Sequence, residues 1–397
     1  MRHPTLLSLS FMLASCSAEA PSGAETPDTT MDAATGDAAP DTLSDTETSD
    51  ALPDSEAPDT AADTAPEDTA PSDADSVDTT PDTVVDTTTD DTLVEDGGTE
   101  PAAWVTTTGS VSPDATCAAD ATCAPGVVQA GRETRCGTIA SGTDTFALPA
   151  PLTPGPVAAA LYDTCTGTGE NTAVDSSLET VVVNAGGEVV TASLFADNYF
   201  ELFVNGVMVG RDGLGFTPFN AAAVRFQASY PMTVVVSLVD WEGYLGVGLE
   251  DRTGALHIGD GGFIASFSNG LQTGADWKCE AFYAAPLDND GCLRLTSGGG
   301  LDSSACPQID ATVGCVTAGN ADGCQAAHLR LPAGWSEPGF DDSTWSAAHL
   351  FAADLVTRDP AYATFAATRF ASASFIWSGN LNLDNHVVCR VTLDAPP

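Results

Sequence analysis

Short apolar runs alternate with turn-forming residues from about residue 180 to the end of the chain. The clearest case is Tyr199 to Val204, followed by Asn205-Gly206 and then Val207 to Gly210. A type I′ turn requires positive φ at both central residues, so Asn-Gly between two β-prone runs predicts a hairpin. Further β-prone runs are separated by Gly, Pro, Asn and Asp and cover residues 179–184, 188–195, 233–239, 262–267, 374–378 and 386–393.

Helical periodicity is weak throughout the chain. No long stretch repeats its apolar residues every 3.6 positions, and only residues 221–224 and 354–364 indicate short helical turns. The pattern therefore predicts an all-β fold. A two-sheet sandwich buries this many short strands without leaving long exposed edges.

Two segments carry a family resemblance. Residues 196–206, with 209–210 and 215–219 after them, resemble the galactose-binding-like jelly roll, and most closely the sugar-binding accessory domains of glycoside hydrolases. Residues 335–345 are similar to a recurring Trp…Phe-Asp-Asp-Ser-x-Trp stretch of those domains, although there it usually precedes the hairpin. The resemblance implies a jelly-roll β-sandwich, a link to carbohydrate and an occasional structural calcium.

Within the second segment, the residue types indicate packing. Trp335, Phe340 and Trp345 are expected to be packing residues, while Asp341 and Asp342 are expected to bind turn amides.

The first residues have the pattern of an export signal. Arg2 precedes an apolar stretch, residues 5–14, that is too short to span a bilayer. The stretch ends in Leu13-Ala14-Ser15-Cys16, which resembles a bacterial lipobox and implies that signal peptide 1–15 is removed and lipid is attached to Cys16. Ser17 is typical of outer-membrane sorting. We expect an outer-membrane lipoprotein, with a plain secretory signal as the alternative.

Residues 16–103 predict a lipidated cysteine followed by a disordered acidic tether. Residues 17–103 repeat Asp, Thr, Pro, Ala and Ser, contain no aromatic residue, Lys or Arg, and hold 25 of the 56 acidic residues. Such a segment cannot bury enough apolar area to offset its chain entropy. The functional interpretation is a stalk that holds the folded part of the chain, which we call the head, away from the membrane. The alternative is a segment that only increases solubility.

The head is predicted to be one β-domain over 104–397, with two small domains divided near residue 130 as the runner-up. The whole chain has a formal net charge of −44. This charge argues against a nucleic-acid partner, because binding nucleic acid needs Lys and Arg to displace counterions.

Cysteine usage indicates disulfides. Apart from Cys16 there are ten cysteines: Cys117, Cys123, Cys136, Cys165, Cys279, Cys292, Cys306, Cys315, Cys324 and Cys389. An even number in an exported chain favours disulfide bonds, and the absence of any Cys-x2-Cys pair disfavours zinc. Local closures such as Cys117–Cys123 and Cys306–Cys315 are plausible pairings, although connectivity does not follow from sequence.

Residues 286–326 are rich in Gly, Asp, Ser and Cys, and we expect a disulfide-stapled insertion there. Two turns in it, one containing Asp288 and Asp290 and the other Asp322, cluster oxygen ligands that could hold a structural calcium. Neither completes an EF-hand loop, and ordinary Asx turns explain both as well.

The best sequence candidates for a ligand site follow the apolar run 233–239. Asp240, Trp241, Glu242 and Tyr244 place aromatic rings beside carboxylates at a strand end, where a ring can stack on a sugar and acids can accept its hydroxyls. Trp277 is a second candidate. For each aromatic residue, a partly buried loop position is the alternative.

Catalytic signatures are missing from the sequence. There is no Gly-x-Ser-x-Gly elbow and no His-Glu-x-x-His pair, and His257, His328, His349 and His386 fit structural or surface positions. The leading hypothesis is a non-catalytic surface lipoprotein that binds a glycan or another extracellular ligand and needs no cofactor. A structural or protein-interaction module of the envelope is the second, and a hydrolase with an unrecognised site the third.

Cys16→Ser is expected to abolish membrane association, because the variant has no thiol to carry the lipid and a cleaved chain would be released. Cell fractionation with detergent-phase partitioning measures this. A variant that stays in the detergent phase would refute the lipid anchor.

Overall fold

A computed structural model describes part of the chain, in several separate segments. The described residues are 103–114, 136–141, 144–162, 169–213, 221–240, 242–252, 255–308, 314–316, 320–357 and 360–397. All of them belong to one compact unit. The signal peptide, Cys16, the predicted tether, Cys117, Cys123, Cys165 and Trp241 lie outside them.

Strands dominate the described residues. They are β1 Val105–Thr108, β2 Gly137–Ser141, β3 Asp144–Leu148, β4 Ala159–Ala160, β5 Thr180–Val182, β6 Glu188–Asp197, β7 Tyr199–Val204, β8 Val207–Arg211, β9 Ala221–Ala228, β10 Met232–Val239, β11 Leu249–Arg252, β12 Ala255–Ile258, β13 Gly262–Phe267, β14 Lys278–Leu287, β15 Arg294–Leu295, β16 Leu301–Asp302, β17 Gln325–His328, β18 His349–Phe351, β19 Phe375–Trp377 and β20 Asp384–Leu393. The helices are α1 Val174–Ser177, α2 Ala353–Val356 and α3 Pro360–Phe365, with one 3-10 turn at Asp290–Cys292. No helix in this part of the chain is long and apolar enough to cross a membrane.

Two large sheets form the framework. The first has the order β1-β17-β14-β20-β10-β7-β8, with β16 added to β14 and β15 to β16, and all its pairings are antiparallel. The second has the order β18-β19-β13-β6-β9-β4, also antiparallel, and β5 joins β9 in parallel. Two hairpins, β2–β3 and β11–β12, stand apart from both sheets.

The sheets pack face to face. Val234, Val236 and Leu238 of β10 belong to one buried cluster with Leu194 and Ala196 of β6. Alternate residues of each strand therefore meet in a shared core, as expected for a sandwich. The all-β sandwich predicted from the sequence is confirmed.

Each sheet is also covered on its outer face. On the first sheet, Phe203, Val235 and Val388 pack in a cluster with Trp345, which is contributed by the segment 329–346. On the second, Phe195 and Ile264 pack with Val356 of α2 and Phe365 of α3. Burial on both faces explains why β10 is buried at every position.

A buried arginine holds the outer cover of the first sheet. Arg390 of β20 is 1% exposed, and its Nε lies 3.1 Å from the Asp342 carboxylate. Its other nitrogens donate to the carbonyl oxygens of Trp335 and Glu337, and the guanidinium lies 5.0 Å from the centre of the Phe340 ring. One side chain thus satisfies several groups of the covering segment.

The motif residues of that segment divide into two groups. Trp345 is buried, and Trp335 and Phe340 are half-buried against the same cluster, so their packing role is confirmed. Asp341 accepts from the Ser343 amide at 3.0 Å as expected. The prediction for Asp342 was wrong: its carboxylate binds the cations Lys278 and Arg390, because both side chains project onto it from β14 and β20.

Most predicted local structure is present. Asn205 and Gly206 have φ values of +48° and +80°, which confirms the turn, and α2 and α3 occupy the predicted helical region. The helical turn predicted at residues 221–224 was wrong, because those residues begin β9, where small side chains are buried between β6 and its other neighbours.

Three disulfides join described cysteines: Cys279–Cys389, Cys292–Cys306 and Cys315–Cys324. The predicted pair Cys306–Cys315 was therefore wrong, because Cys306 is bonded to Cys292 on its N-terminal side and Cys315 to Cys324 on its C-terminal side. Cys136 is also disulfide-bonded, and its partner, like the predicted pair Cys117–Cys123, lies outside the described residues. The predicted stapled insertion is confirmed, since two of these bonds close loops inside residues 286–326.

Asp342→Ala is expected to lower the free energy of unfolding by about 2–3 kcal/mol, because it leaves the charge of Arg390 buried without its carboxylate. Urea denaturation of the oxidised protein measures the loss. Asp341→Ala is the matched control and should cost much less, since Asp341 is exposed and only caps a turn. Equal losses for the two variants would contradict the role assigned to Arg390.

Candidate functional site

The ligand site predicted at the end of β10 is not an exposed loop. Asp240 and Glu242 are 1% and 0% exposed, whereas Trp241 lies outside the described residues. The prediction that these two acids accept sugar hydroxyls was therefore wrong. The chain folds back after β10, so both carboxylates are enclosed by protein.

Glu242 makes hydrogen bonds within the protein. One carboxylate oxygen accepts from the Val247 amide at 2.6 Å, and the other accepts from the Tyr283 hydroxyl of β14. Burial raises the pKa of Glu242 to about 7, while these hydrogen bonds oppose the shift. The side chain ties the loop after β10 to the first sheet.

Trp277 and Tyr244 are also packing residues. The Trp277 ring is 0% exposed, lies edge-on to Phe263 with ring centres 6.3 Å apart, and donates to the Gln272 carbonyl at 2.9 Å. The prediction that Trp277 stacks on a sugar was wrong, because its ring is enclosed in the core cluster that the two sheets share. Tyr244 is half-buried against a cluster containing Val247 and Leu249.

The predicted calcium ligands are not gathered into one site. Asp290 accepts from the Thr106 hydroxyl at 2.5 Å and from Trp104 at 3.3 Å, which docks the start of β1. Asp288 and Asp322 are exposed. The alternative of Asx turns is confirmed, since Asn289 and Asn320 accept from amides two residues further on. The described residues contain no group of three or more His, Cys, Asp or Glu suited to a metal ion.

A polar concavity, which we call the polar cavity, lies between strand β14 of the first sheet, strand β18 at the edge of the second sheet, and the insertion. It has a volume of about 440 Å³. Its wall comes from β14 of the first sheet, β18 and the end of β19 of the second, and the hairpin β15–β16 of the insertion. Nine of the lining residues carry side-chain oxygens: Glu280, Thr296, Ser297, Asp302, Ser303, Ser304, Ser346, Ser378 and Asp384.

Glu280 forms one buried carboxylate of the polar cavity. It is 1% exposed and accepts from the Thr296 hydroxyl at 2.7 Å and from the Ser346 amide at 3.0 Å. The turn beside it requires glycine at 298 and 300, because a Cβ at either position would collide with the Glu280 carboxylate. The insertion hairpin can therefore lie directly against β14.

Asp384 forms the second buried carboxylate. Its two oxygens accept from the hydroxyls of Ser303 at 2.7 Å and Ser378 at 2.6 Å. Burial raises the pKa of Asp384 to about 7, and the two hydroxyl donors oppose that shift. Ser303 belongs to the insertion and Ser378 follows β19, so this one residue of β20 joins three segments.

The polar cavity combines fixed carboxylates with hydroxyl groups of its rim. Ser297, Ser304 and His349 line it and are exposed, so they can donate to and accept from a ligand. Sequence reasoning missed this site because its residues are scattered over positions 279–384. Only the Gly298-Gly299-Gly300 turn followed by Asp302-Ser303-Ser304 offered a local signal.

Comparisons with known proteins identify no relative. The chain matches no protein-family model, and neither the search of curated proteins nor that of solved structures finds a match. The likeness to galactose-binding-like domains therefore stays a prediction based on its motifs. In this protein those motifs form the hairpin β7–β8 and the outer cover of the first sheet.

Glu242→Gln is expected to destabilise the protein most at low pH. Because the pKa of Glu242 is raised in the folded state, its stabilising contribution is complete below about pH 4.5 and is lost as pH rises through about 7. Glutamine does not titrate, so the difference in unfolding free energy between wild type and variant should shrink from pH 5 to pH 8. Urea melts across that range measure it, and a difference that grows with pH would contradict a buried, mostly protonated Glu242.

Proposed function

We propose that this protein is a non-catalytic cell-envelope lipoprotein whose folded head binds carbohydrate in the polar cavity. The observation that carries the proposal is the lining of that cavity, in which the exposed serines Ser297 and Ser304 lie beside two buried carboxylates that hold the other hydroxyl groups in place. Recognition of a sugar depends on such hydrogen-bonding groups held in fixed positions.

The size of the polar cavity supports a small saccharide. Its volume of about 440 Å³ falls within the roughly 300–1,000 Å³ typical of small-molecule sites. Exposed rim residues at Ser304 and His349 leave an entrance for a longer chain. A mono- or disaccharide unit at the end of a glycan is the expected occupant.

The charge of the polar cavity restricts the sugar class. Glu280, Asp302 and Asp384 all line it, and no Lys or Arg among the described residues does. Carboxylates accept hydrogen bonds from hydroxyl or ammonium groups and repel other anions. Neutral sugars and amino sugars are therefore favoured over uronic acids and phosphorylated sugars.

The hydrogen bonding supports binding over hydrolysis. Each of the two buried carboxylates already accepts from at least two protein donors, whereas a glycosidase pair has one acid that protonates the leaving group and one base or nucleophile. Both carboxylates of this cavity instead tie the sheets to the insertion. A hydrolase would release reducing ends from the glycans that bind, and a reducing-end assay on those glycans separates the two functions.

Lipid attachment at Cys16 and the acidic segment 17–103 complete the proposal. The lipobox-like sequence supports membrane anchoring, and the low-complexity composition supports a tether between anchor and head. The head would then reach glycans of the cell surface or periplasm. A protein-interaction module remains the second hypothesis, and a head that binds no glycan would favour it.

A glycan-array screen of the oxidised, delipidated protein tests the proposal, with titration calorimetry on the best ligands. Binding should be confined to neutral or amino sugars and should not depend on calcium. An array with no positive glycan, or one dominated by acidic glycans, would contradict the proposal.

Gly379→Trp should weaken glycan binding at least tenfold by filling the polar cavity. Gly379 lines this cavity, and an added Cβ would meet only His349 Nε2, at 3.7 Å, so the backbone tolerates a side chain there. Gly339→Trp is the matched control, because Gly339 is exposed with no neighbour within 4 Å of an added Cβ. Equal affinity of both variants, measured by calorimetry, would place the glycan elsewhere.

A further inference from the structure

A second cavity lies on the outer face of the first sheet, and we call it the outer-face cavity. It has a volume of about 190 Å³. One wall is β3 with the residues up to Pro151, and the opposite wall is the segment 329–331 that leaves β17. Its floor is formed by Phe282, Tyr283, His328 and His386 of the sheet itself.

The floor is a row of rings across three neighbouring strands. Tyr283 of β14 lies opposite His328 of β17 on one side and opposite His386 of β20 on the other. The rings of Tyr283 and His328 are stacked, with centres 4.6 Å apart and planes 12° apart. Phe146 of the β3 wall lies 6.3 Å from the His328 ring and adds another aromatic surface.

Both histidines present neutral rings to the cavity. Nε2 of His328 bonds with the Thr107 hydroxyl at 3.2 Å, and Nε2 of His386 bonds with that of Ser237 at 2.9 Å. Neither Nδ1 has a hydrogen-bond partner among the described residues. Burial lowers the pKa of His328 to about 3 and that of His386 to about 4, so both imidazoles are uncharged near neutral pH.

A single cation marks the rim of the outer-face cavity. Arg330 has a side chain that is 61% exposed, forms an ion pair with Asp144 and lies 5.9 Å from the centre of the Phe146 ring. A guanidinium has five N–H donors in a planar fork, so one carboxylate does not use them all. The donors that Asp144 leaves unused are available to a second anionic group.

We propose that the outer-face cavity binds a small aromatic carboxylate, with its single ring over the Tyr283–His328 stack and its carboxylate on Arg330. An apolar cavity of about 150 Å³ is large enough for benzene, so about 190 Å³ suits one ring with a substituent. Aromatic walls contact a flat ring edge-on or offset. A ring hydroxyl can reach a histidine Nδ1.

This site is independent of the polar cavity. The two linings share no residue. Three acidic residues line the polar cavity, whereas the outer-face cavity is lined by Arg330, which is paired with Asp144. The proposal therefore stands whether or not the head binds carbohydrate.

Titration calorimetry of the oxidised mature protein with 4-hydroxybenzoate, cyclohexanecarboxylate and benzyl alcohol tests the ligand class. The aromatic carboxylate should bind at least tenfold more tightly than either of the others, because both others lack the phenolic hydroxyl and, in addition, the first lacks the aromatic ring and the second the carboxylate. Equal affinity for all three, or no heat with any of them, would overturn the proposal.

Two variant pairs locate the ligand. Leu331→Trp fills the outer-face cavity and should abolish binding, whereas Leu355→Trp places the same ring on an exposed part of α2 and should not. Arg330→Gln should weaken 4-hydroxybenzoate at least tenfold and leave benzyl alcohol unchanged, with Arg294→Gln as the charge-matched control. Binding that survives both Leu331→Trp and Arg330→Gln would also overturn the proposal.

Discussion

A strand that is covered on both faces must bury nearly every side chain it carries, and this constraint governs the central strands of both sheets. β10 is buried along its whole length because its alternate residues face the shared core on one side and the segment 329–346 on the other. Such strands lose the polar–apolar alternation of a half-exposed sheet. The few polar residues that remain must be satisfied by partners in the covers.

Arg390 shows how that requirement is met. The arginine lies on the outer face of the first sheet, where its charge would be costly unless carboxylate and carbonyl oxygens surround it. The covering segment supplies those oxygens from Asp342, Trp335 and Glu337. Sheet and covering segment therefore depend on each other. The segment shields the charge of Arg390 from solvent, and the hydrogen bonds of Arg390 hold the segment in place.

Local features of this fold could be predicted from sequence, whereas features built across long separations could not. The Asn205-Gly206 turn follows from the φ preferences of two residues, and the runs before and after it from β propensity. Residues 221–224 were misassigned because alanine favours helix intrinsically, and only tertiary pairing makes them a strand. The partners of Cys306 and Asp342 depend on chain segments whose proximity no local pattern reports.

The contrast between local and long-range features also explains why the ligand site predicted from the sequence was wrong. Asp240, Glu242 and Trp277 have the residue types of a sugar site, but their burial is set by how the chain folds back after β10. The polar cavity instead gathers serines and acids that individually carry no signal. Its wall needs the insertion, because Thr296 and Ser303 from that segment complete the hydrogen bonds of Glu280 and Asp384.

The disulfide Cys279–Cys389 closes residues 279–389, which include the insertion, into one covalent circuit. Cys279 and Cys389 are 110 residues apart in sequence, and the bonds Cys292–Cys306 and Cys315–Cys324 form smaller rings within that large one. A protease that cuts one exposed bond anywhere between residues 280 and 388 would open the circuit without releasing a fragment. Both new ends would stay attached to adjacent core strands, so a nicked domain would keep its cavities.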